Sequence, residues 1–360
     1  MKRLTLIFGA WLAGNAILTA GSAAGAERIV KEHRLAELEW KQEMLAARSS
    51  AQKLAVWEKR PDAEAYGKRM VGEIGNDLND AWTMPYVVWL LNNHPGLSAQ
   101  GVAHLIEFTK KSHWNSPQLG GFCLGLTTAG DWDVENASRL QLTSKKLKFI
   151  ESVVDSNLPK PIRGQACLAL SGTLAKMGDS QAINRRRLDL IRKAIINAAD
   201  TKVGEVTLAD LAKEEIYRMT KLSKGSVAPN LKGSDSKMLP MQLSDYRGKV
   251  VVLVFWTSWE QPVEVLDYLR KLEQTYAGKP VQIVGVNRDP LTNLRQIEAG
   301  GKAVGKNFSD PSGSLFQTYR VTQSPVCYVL DKEGVIQYNG GLGSFVDLTV
   351  SAILSSKAQQ

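Results

Sequence analysis

The sequence predicts a multidomain chain, with an all-α helical N-terminal domain followed by an α/β domain. Three observations predict it. From Glu32 to about Ala199 the chain is dense in helix formers, with apolar residues at helical spacing and turns marked by Pro and Gly. Beyond residue 230 the apolar residues gather into short β-branched runs, Val250–Val254 and Val281–Val286. Between these regions, Lys221 to Asn230 is polar and punctuated by Gly225 and Pro229. With 360 residues, 44% of them hydrophobic, the chain can bury two cores. The expected division is an export signal over 1–26, a helical domain over 29–220, a linker over 221–229 and the α/β domain over 230–356.

The N-terminus reads as a secretory signal. Lys2 and Arg3 form a positive start, Leu4 to Leu18 is largely apolar, and Ala24-Gly25-Ala26 offers a small-residue cleavage site before Glu27. An uncleaved anchor is the alternative. No later stretch is apolar for long enough to span a bilayer, so no stable membrane span is expected after cleavage. The expected location is outside the cytoplasm, periplasmic or extracellular.

In the helical domain, Leu35, Leu38, Trp40, Met44, Leu45, Leu54 and Val56 recur among charged residues, which predicts one helix from Glu32 to Trp57, with Ser49-Ser50 open as a break in it. Arg60-Pro61-Asp62 ends this region, and a helix follows over about 63–74. Trp82 to Leu91 is strongly apolar and contains Pro85. Asn92 to Gly96 is a turn, after which Ser98 caps a helix to about Phe108. Further helices are expected over 118–126 and over 143–154, the latter with Thr143 as its N-cap. Asp131-Trp132-Asp133 reads as a polar break. Pro159 and Pro161 open a helix with Ala166, Leu170 and Leu174 on adjacent turns, and a partner helix covers 180–199. This helix–Pro turn–helix pattern resembles a HEAT-type repeat, which implies a surface for protein partners.

The net charge of +9 arises from interspersed charges, and no recognition motif accompanies it, so nucleic-acid binding is not expected. The four histidines, His33, His94, His104 and His113, are scattered without metal-ligand spacing. Neither a metal nor a cofactor is expected. The three cysteines, Cys123, Cys167 and Cys327, include no Cys-x-x-Cys pair. A Cys123–Cys167 disulfide stays open at this stage, as does a buried Cys167.

In the second domain, Val227-Ala228-Pro229-Asn230-Leu231 is followed by Leu243-Ser244-Asp245-Tyr246-Arg247-Gly248-Lys249 and the strand Val250–Phe255. That strand runs into Trp256-Thr257-Ser258-Trp259-Glu260-Gln261-Pro262-Val263, and an amphipathic helix follows to about Tyr276. Farther on come Gln323-Ser324-Pro325-Val326 and the Asp331-Lys332-Glu333-Gly334 turn. In this order these segments resemble the thioredoxin-like superfamily, in its TlpA/peroxiredoxin (AhpC/TSA, redoxin) branch. The resemblance implies a β-α-β-α-β-β-α order from Val250 onward, with Pro325 as the cis-proline.

The same resemblance places the reactive cysteine pair at Glu260 and Val263. A carboxylate there cannot form a disulfide, and a valine cannot resolve one. Peroxide reduction needs the same first position, so both activities lose their reagent. No catalytic residue is therefore assigned. What survives is a candidate peptide-binding groove formed by Trp256, Trp259, Glu260, Ser324 and Pro325. The expected function is a redox-inactive module of the cell envelope that binds a protein or peptide partner. Two alternatives stand beside it: an atypical thiol oxidoreductase or peroxidase-like enzyme using a lone thiol such as Cys327, and a purely structural envelope protein. Glu264 is read as an ordinary surface residue. The oligomeric state is not legible.

Overall fold

The computed structural model describes residues 21–130, 136–178, 180–260 and 262–355. Most of the predicted signal and the Asp131–Asp133 break lie outside these residues.

The first half is all-α. Helix α1 (Ala23–Ala46) starts at Ser22, whose hydroxyl accepts from the Gly25 amide. Ala24-Gly25-Ala26, the predicted cleavage segment, occupies its first turn, with Ala26 fully buried. The single helix expected from Glu32 to Trp57 is two, because a capping box at Ser49 starts a new one. The Ser49 hydroxyl accepts from the Gln52 amide and the Gln52 side chain accepts in return, starting α2 (Ser50–Glu58). Trp40 donates its indole N–H to the Val56 carbonyl at 2.9 Å and packs on Trp57, folding α2 back beside α1.

Helices α3 (Ala63–Ile74), α4 (Met84–Asn93), α5 (Ala99–Ser112) and α6 (Leu119–Leu126) follow. Asp62 caps α3 and Ser98 caps α5, while Pro85 sits in the first turn of α4, where its missing N–H costs nothing. Next comes α7 (Asn136–Val154), which begins seven residues before the expected Thr143 cap. Thr143 instead lies inside the helix and is buried, because the helical core continues past it.

Helices α8 (Lys160–Leu174) and α9 (Gln181–Ala198) form the densest pair. Ile162, Ala166, Cys167, Ala169 and Leu170 of α8 are buried. At Gly164 a Cβ would lie 2.4 Å from the Ala198 Cβ, so the absence of a side chain sets how closely the two helices approach. A two-residue hairpin, β1 (Lys202–Val203) with β2 (Val206–Thr207), leads into α10 (Leu208–Lys221), capped by Thr207 with Asp210.

The α/β half opens with the hairpin β3 (Lys232–Ser234) and β4 (Pro240–Gln242). Its main sheet has the order β7-β6-β5-β8-β9. Central β5 (Val250–Trp256) pairs parallel with β6 (Val281–Asn287) and antiparallel with β8 (Val326–Leu330). The edges are β7 (Lys306–Ser309), parallel to β6, and β9 (Ile336–Gly340), antiparallel to β8. The expected strand order omitted β7, because Lys306-Asn307-Phe308-Ser309 is too short and polar to read as a strand from sequence. Three helices connect strands of the sheet, α11 (Pro262–Thr275), α12 (Leu291–Ala299) and α13 (Ser314–Thr318), and α14 (Ser344–Ser355) follows β9.

Every residue of β5 is buried, as a central strand covered on both faces must be. Val250, Val252, Val254 and Trp256 face one core, with Leu266, Leu269, Leu294, Val346 and Cys327. Val251, Leu253 and Phe255 face the other, with Phe316, Tyr319, Tyr328 and Leu222.

The two halves are joined on that second side. Tyr217 of α10 donates to the Thr318 carbonyl at 2.9 Å, and Asn339 donates to the Leu222 carbonyl at 2.9 Å. Arg320 stacks on Tyr217, 4.0 Å from its ring centre, and pairs with Glu214. The segment after α10 lies along β9: Gly225 donates to the Ile336 carbonyl at 2.7 Å and Ile336 donates to the Ser226 carbonyl at 2.9 Å.

Candidate functional site: a thioredoxin-like face without its thiols

Strand β5 delivers the chain to the site. Its last residue, Trp256, turns inward, and its indole N–H reaches past β6 to donate to Asn307 Oδ1 at 3.1 Å on the edge strand β7. Only 1% of Trp256 is exposed. It therefore supports the loop from below and does not line a groove, in contrast to the expectation. Gly285 lies between Trp256 and Asn307. A Cβ there would stand 2.0 Å from Asn307 Oδ1 and 2.8 Å from Trp256 Nε1.

The loop Thr257-Ser258-Trp259-Glu260 is pinned from two sides. On one side is Asp289, fully buried just past the end of β6. Its carboxylate accepts from the Ser258 amide at 3.1 Å, the Ser258 hydroxyl at 2.6 Å and the Asn287 side-chain amide at 2.6 Å. It also accepts from the Ser50 hydroxyl of α2 at 2.6 Å. A buried carboxylate is tolerated when it is hydrogen-bonded in this way. Asp289 was not singled out in the sequence. The signal that could have found it is the polar Asn287-Arg288-Asp289-Pro290 tail of an otherwise apolar strand.

On the other side is the cis bond between Ser324 and Pro325, at the residue expected to carry it. Glu260 reaches across to this loop. Its carboxylate accepts from the Ser324 amide at 2.8 Å and also from the Ser324 hydroxyl. Thr257 Oγ1 stands 3.4 Å from the Ser324 hydroxyl and accepts from the Glu260 amide at 3.3 Å. Glu260, Ser324 and Pro325 are half-buried. The geometry brings these three together but leaves Trp256 beneath them. Val263 lies in the first turn of α11, and its side chain is outside the described residues. Glu264 is exposed, as expected.

Trp259 is covered as well. The ammonium of Lys53, from α2, sits 5.1 Å from its ring centre and donates to the Met44 carbonyl at 3.1 Å. Trp259 is 5% exposed. Burial, with Arg288 nearby and Asp289 as a partial offset, holds the Lys53 ammonium below the usual lysine range. Ser50 and Lys53 thus place one helix of the N-terminal half directly on the loop.

The thiols lie elsewhere. Cys123, Cys167 and Cys327 are all free and buried. Cys327 is completely buried on β8, opposite Val254, and burial pushes its thiol far above the usual range, as it does for Cys123. The Cys123–Cys167 disulfide left open by the sequence is not formed. Among the described residues no group of three or more His, Cys, Asp or Glu could hold a metal ion, and no helix is long and apolar enough to cross a membrane.

The second half of the chain is similar to known proteins. The AhpC/TSA family matches residues 225–339. The thiol-disulfide oxidoreductase ResA of Geobacillus thermodenitrificans is 32% identical over 123 residues, which are 33% of this chain and 69% of that protein. ResA of Geobacillus kaustophilus is 29% identical over 153 residues, 41% of this chain and 84% of that protein. Among solved structures, the thioredoxin domain of a thiol-disulfide oxidoreductase from Bacteroides vulgatus is similar at 26% identity. It covers 37% of this chain and 99% of that one, with a TM-score of 0.34.

Proposed function

Because the chain belongs to the thioredoxin-like superfamily yet carries a carboxylate where that superfamily carries its attacking thiol, we propose that it is a redox-inactive, protein-binding module of the cell envelope. The observation that carries this reading is the bonding of Glu260. Its carboxylate occupies the Ser324 amide beside the cis-proline and offers no sulfur to exchange. No thiol among the three is exposed to replace it.

In this reading the old active-site face has become a contact face. Its resident contact is α2 of the same chain, through Ser50 on Asp289 and Lys53 on Trp259. The remaining half-buried rim, Glu260, Ser324 and Pro325, is where an outside protein or peptide would meet it. The antiparallel α8–α9 pair supports a HEAT-like helical domain offering further surface to partners. Val227–Leu231 and the β3–β4 hairpin support placement in the TlpA/peroxiredoxin branch. Export to the periplasm or cell exterior rests on the Met1–Ala26 sequence. N-terminal sequencing of the exported protein decides whether the cut falls after Ala26 or ahead of Ser22.

The relatives bear the name thiol-disulfide oxidoreductase, so the enzyme alternative has to be met directly. The purified protein is expected to give no insulin reduction and no peroxide consumption above buffer. Turnover that disappears in Cys327→Ser would overturn the redox-inactive reading in favour of an enzyme built on the lone thiol.

A further inference from the structure

Helix α1 has two apolar faces, and the fold uses one of them. His33, Trp40 and Met44 lie on the side turned towards the rest of the protein. Trp40 bonds α2, and His33 packs edge-on against Tyr66 and Trp89. At about 100° per residue, Leu35, Leu38, Gln42 and Leu45 fall on the opposite side. Leu35 is 57% exposed, Leu38 49% and Leu45 82%. Their spacing of three, four and three residues is that of a coiled-coil seam, with Leu35 and Gln42 at one core position and Leu38 and Leu45 at the other.

We infer that this seam is an interface between two copies of the chain, paired in parallel about a two-fold axis. Charge selects the partner and the direction. In a parallel pair, the residue just before a seam position faces the residue five places farther along the other helix. Here that places Arg34 opposite Glu39 of the second copy, and the symmetry repeats the pair. Both side chains are exposed, and Arg34 makes only a 4.0 Å pairing with Glu205, which is itself 95% exposed. An antiparallel pair that keeps Leu35 on Leu45 and Leu38 on Gln42 would instead set Glu39 near Glu39 and Lys41 near Lys41 of the second copy, which is repulsive.

Gln42 is the one polar seam residue, and pairing it with its own copy across the two-fold axis lets each amide satisfy the other in the parallel register. The seam has definite ends. Lys31 would be the preceding core residue, and a lysine from each copy there would repel. The helix stops at Ala46. The seam lies on the face of α1 opposite the packed one, flanked by Glu205 of the β1–β2 hairpin beside Arg34. The interface is independent of the degenerate thioredoxin-like face.

The test is sedimentation velocity of the purified protein over a range of concentrations. The expected result is a reversible monomer–dimer equilibrium. Leu38→Glu and Leu45→Glu each raise the dimer dissociation constant by at least about tenfold. Both residues are exposed, so circular dichroism should report an unchanged fold. Arg34→Glu weakens the dimer, and Arg34→Glu combined with Glu39→Arg restores it. A protein that stays monomeric at every concentration overturns the inference. So does a monomer that floats with vesicles of phosphatidylglycerol and phosphatidylcholine through the same leucines, since that would make the seam a membrane-surface contact. A dimer unaffected by Leu38→Glu or Leu45→Glu overturns it as well.

Discussion

Replacing Glu260 by alanine removes the link between the two loops of the degenerate face. The carboxylate accepts two hydrogen bonds from Ser324, one from its amide at 2.8 Å and one from its hydroxyl. Hydrogen bonds to a charged group contribute about 1.5–3 kcal/mol each when well protected. Both residues are half-buried, so water replaces part of what is lost, and a net cost of about 1–2 kcal/mol follows. Glu260→Gln keeps an acceptor in place without its charge and should lose about half as much. Urea unfolding followed by tryptophan fluorescence measures the global part. Amide hydrogen exchange at Ser324 measures the local part, because a loop can open without the domain unfolding. The Ser324 amide should exchange faster in the alanine variant, with the glutamine variant between it and wild type. If unfolding free energy changes by less than about 0.3 kcal/mol and Ser324 exchange does not move, Glu260 is not the clamp described here.

Three further outcomes follow from the same structure. None of the three cysteines should react with a disulfide reagent in the native protein within the time that denatured protein takes to react fully, since burial disfavours the thiolates of Cys123 and Cys327. Stability should fall in mild acid. Burial holds the imidazoles of His33 and His94 below their ordinary 6.5, only partly offset by Glu37 and Glu64, so the unfolded chain binds protons first and stability is lost as pH drops from about 6.5 towards the lowered values. Thermal melts at a series of pH values, with His33→Gln flattening the slope, check this. Gly285→Ala should cost about 2–3 kcal/mol in chemical denaturation, because its methyl group would displace Asn307 from the Trp256 indole.

What could be read in the sequence was what local pattern encodes. The run Val250–Trp256, the helix after it and the Ser324–Pro325 turn are each written within about ten residues, and the structure has each one there. The cover over the site was not legible. Ser50 meets Asp289 across 239 residues of sequence, and no local pattern marks such a contact. Trp256 shows a subtler limit. A tryptophan next to a reactive-site motif suggests a binding wall, but strand alternation turns it into the core, and only the edge strand carrying Asn307, two strands away, reveals what it holds. The exposed leucines of α1 show a limit of another kind. Spacing marks a helix with two apolar faces but does not say which of them the core uses, and the core uses the other one.

Helix α10 has a consequence for how the protein comes apart. Leu208 and Ala212, near its start, belong to the helical core, while Leu222, one residue past its end, belongs to a core of the α/β half. A single rigid rod rooted in both cores denies either half a separate melting transition. Heating is expected to give one calorimetric peak, and proteolysis between the halves should be slow until that peak begins. A Gly–Ser insertion after Lys221 would break the rod from the second core and split the peak in two. The protein would then have two independent thermal lives in place of one.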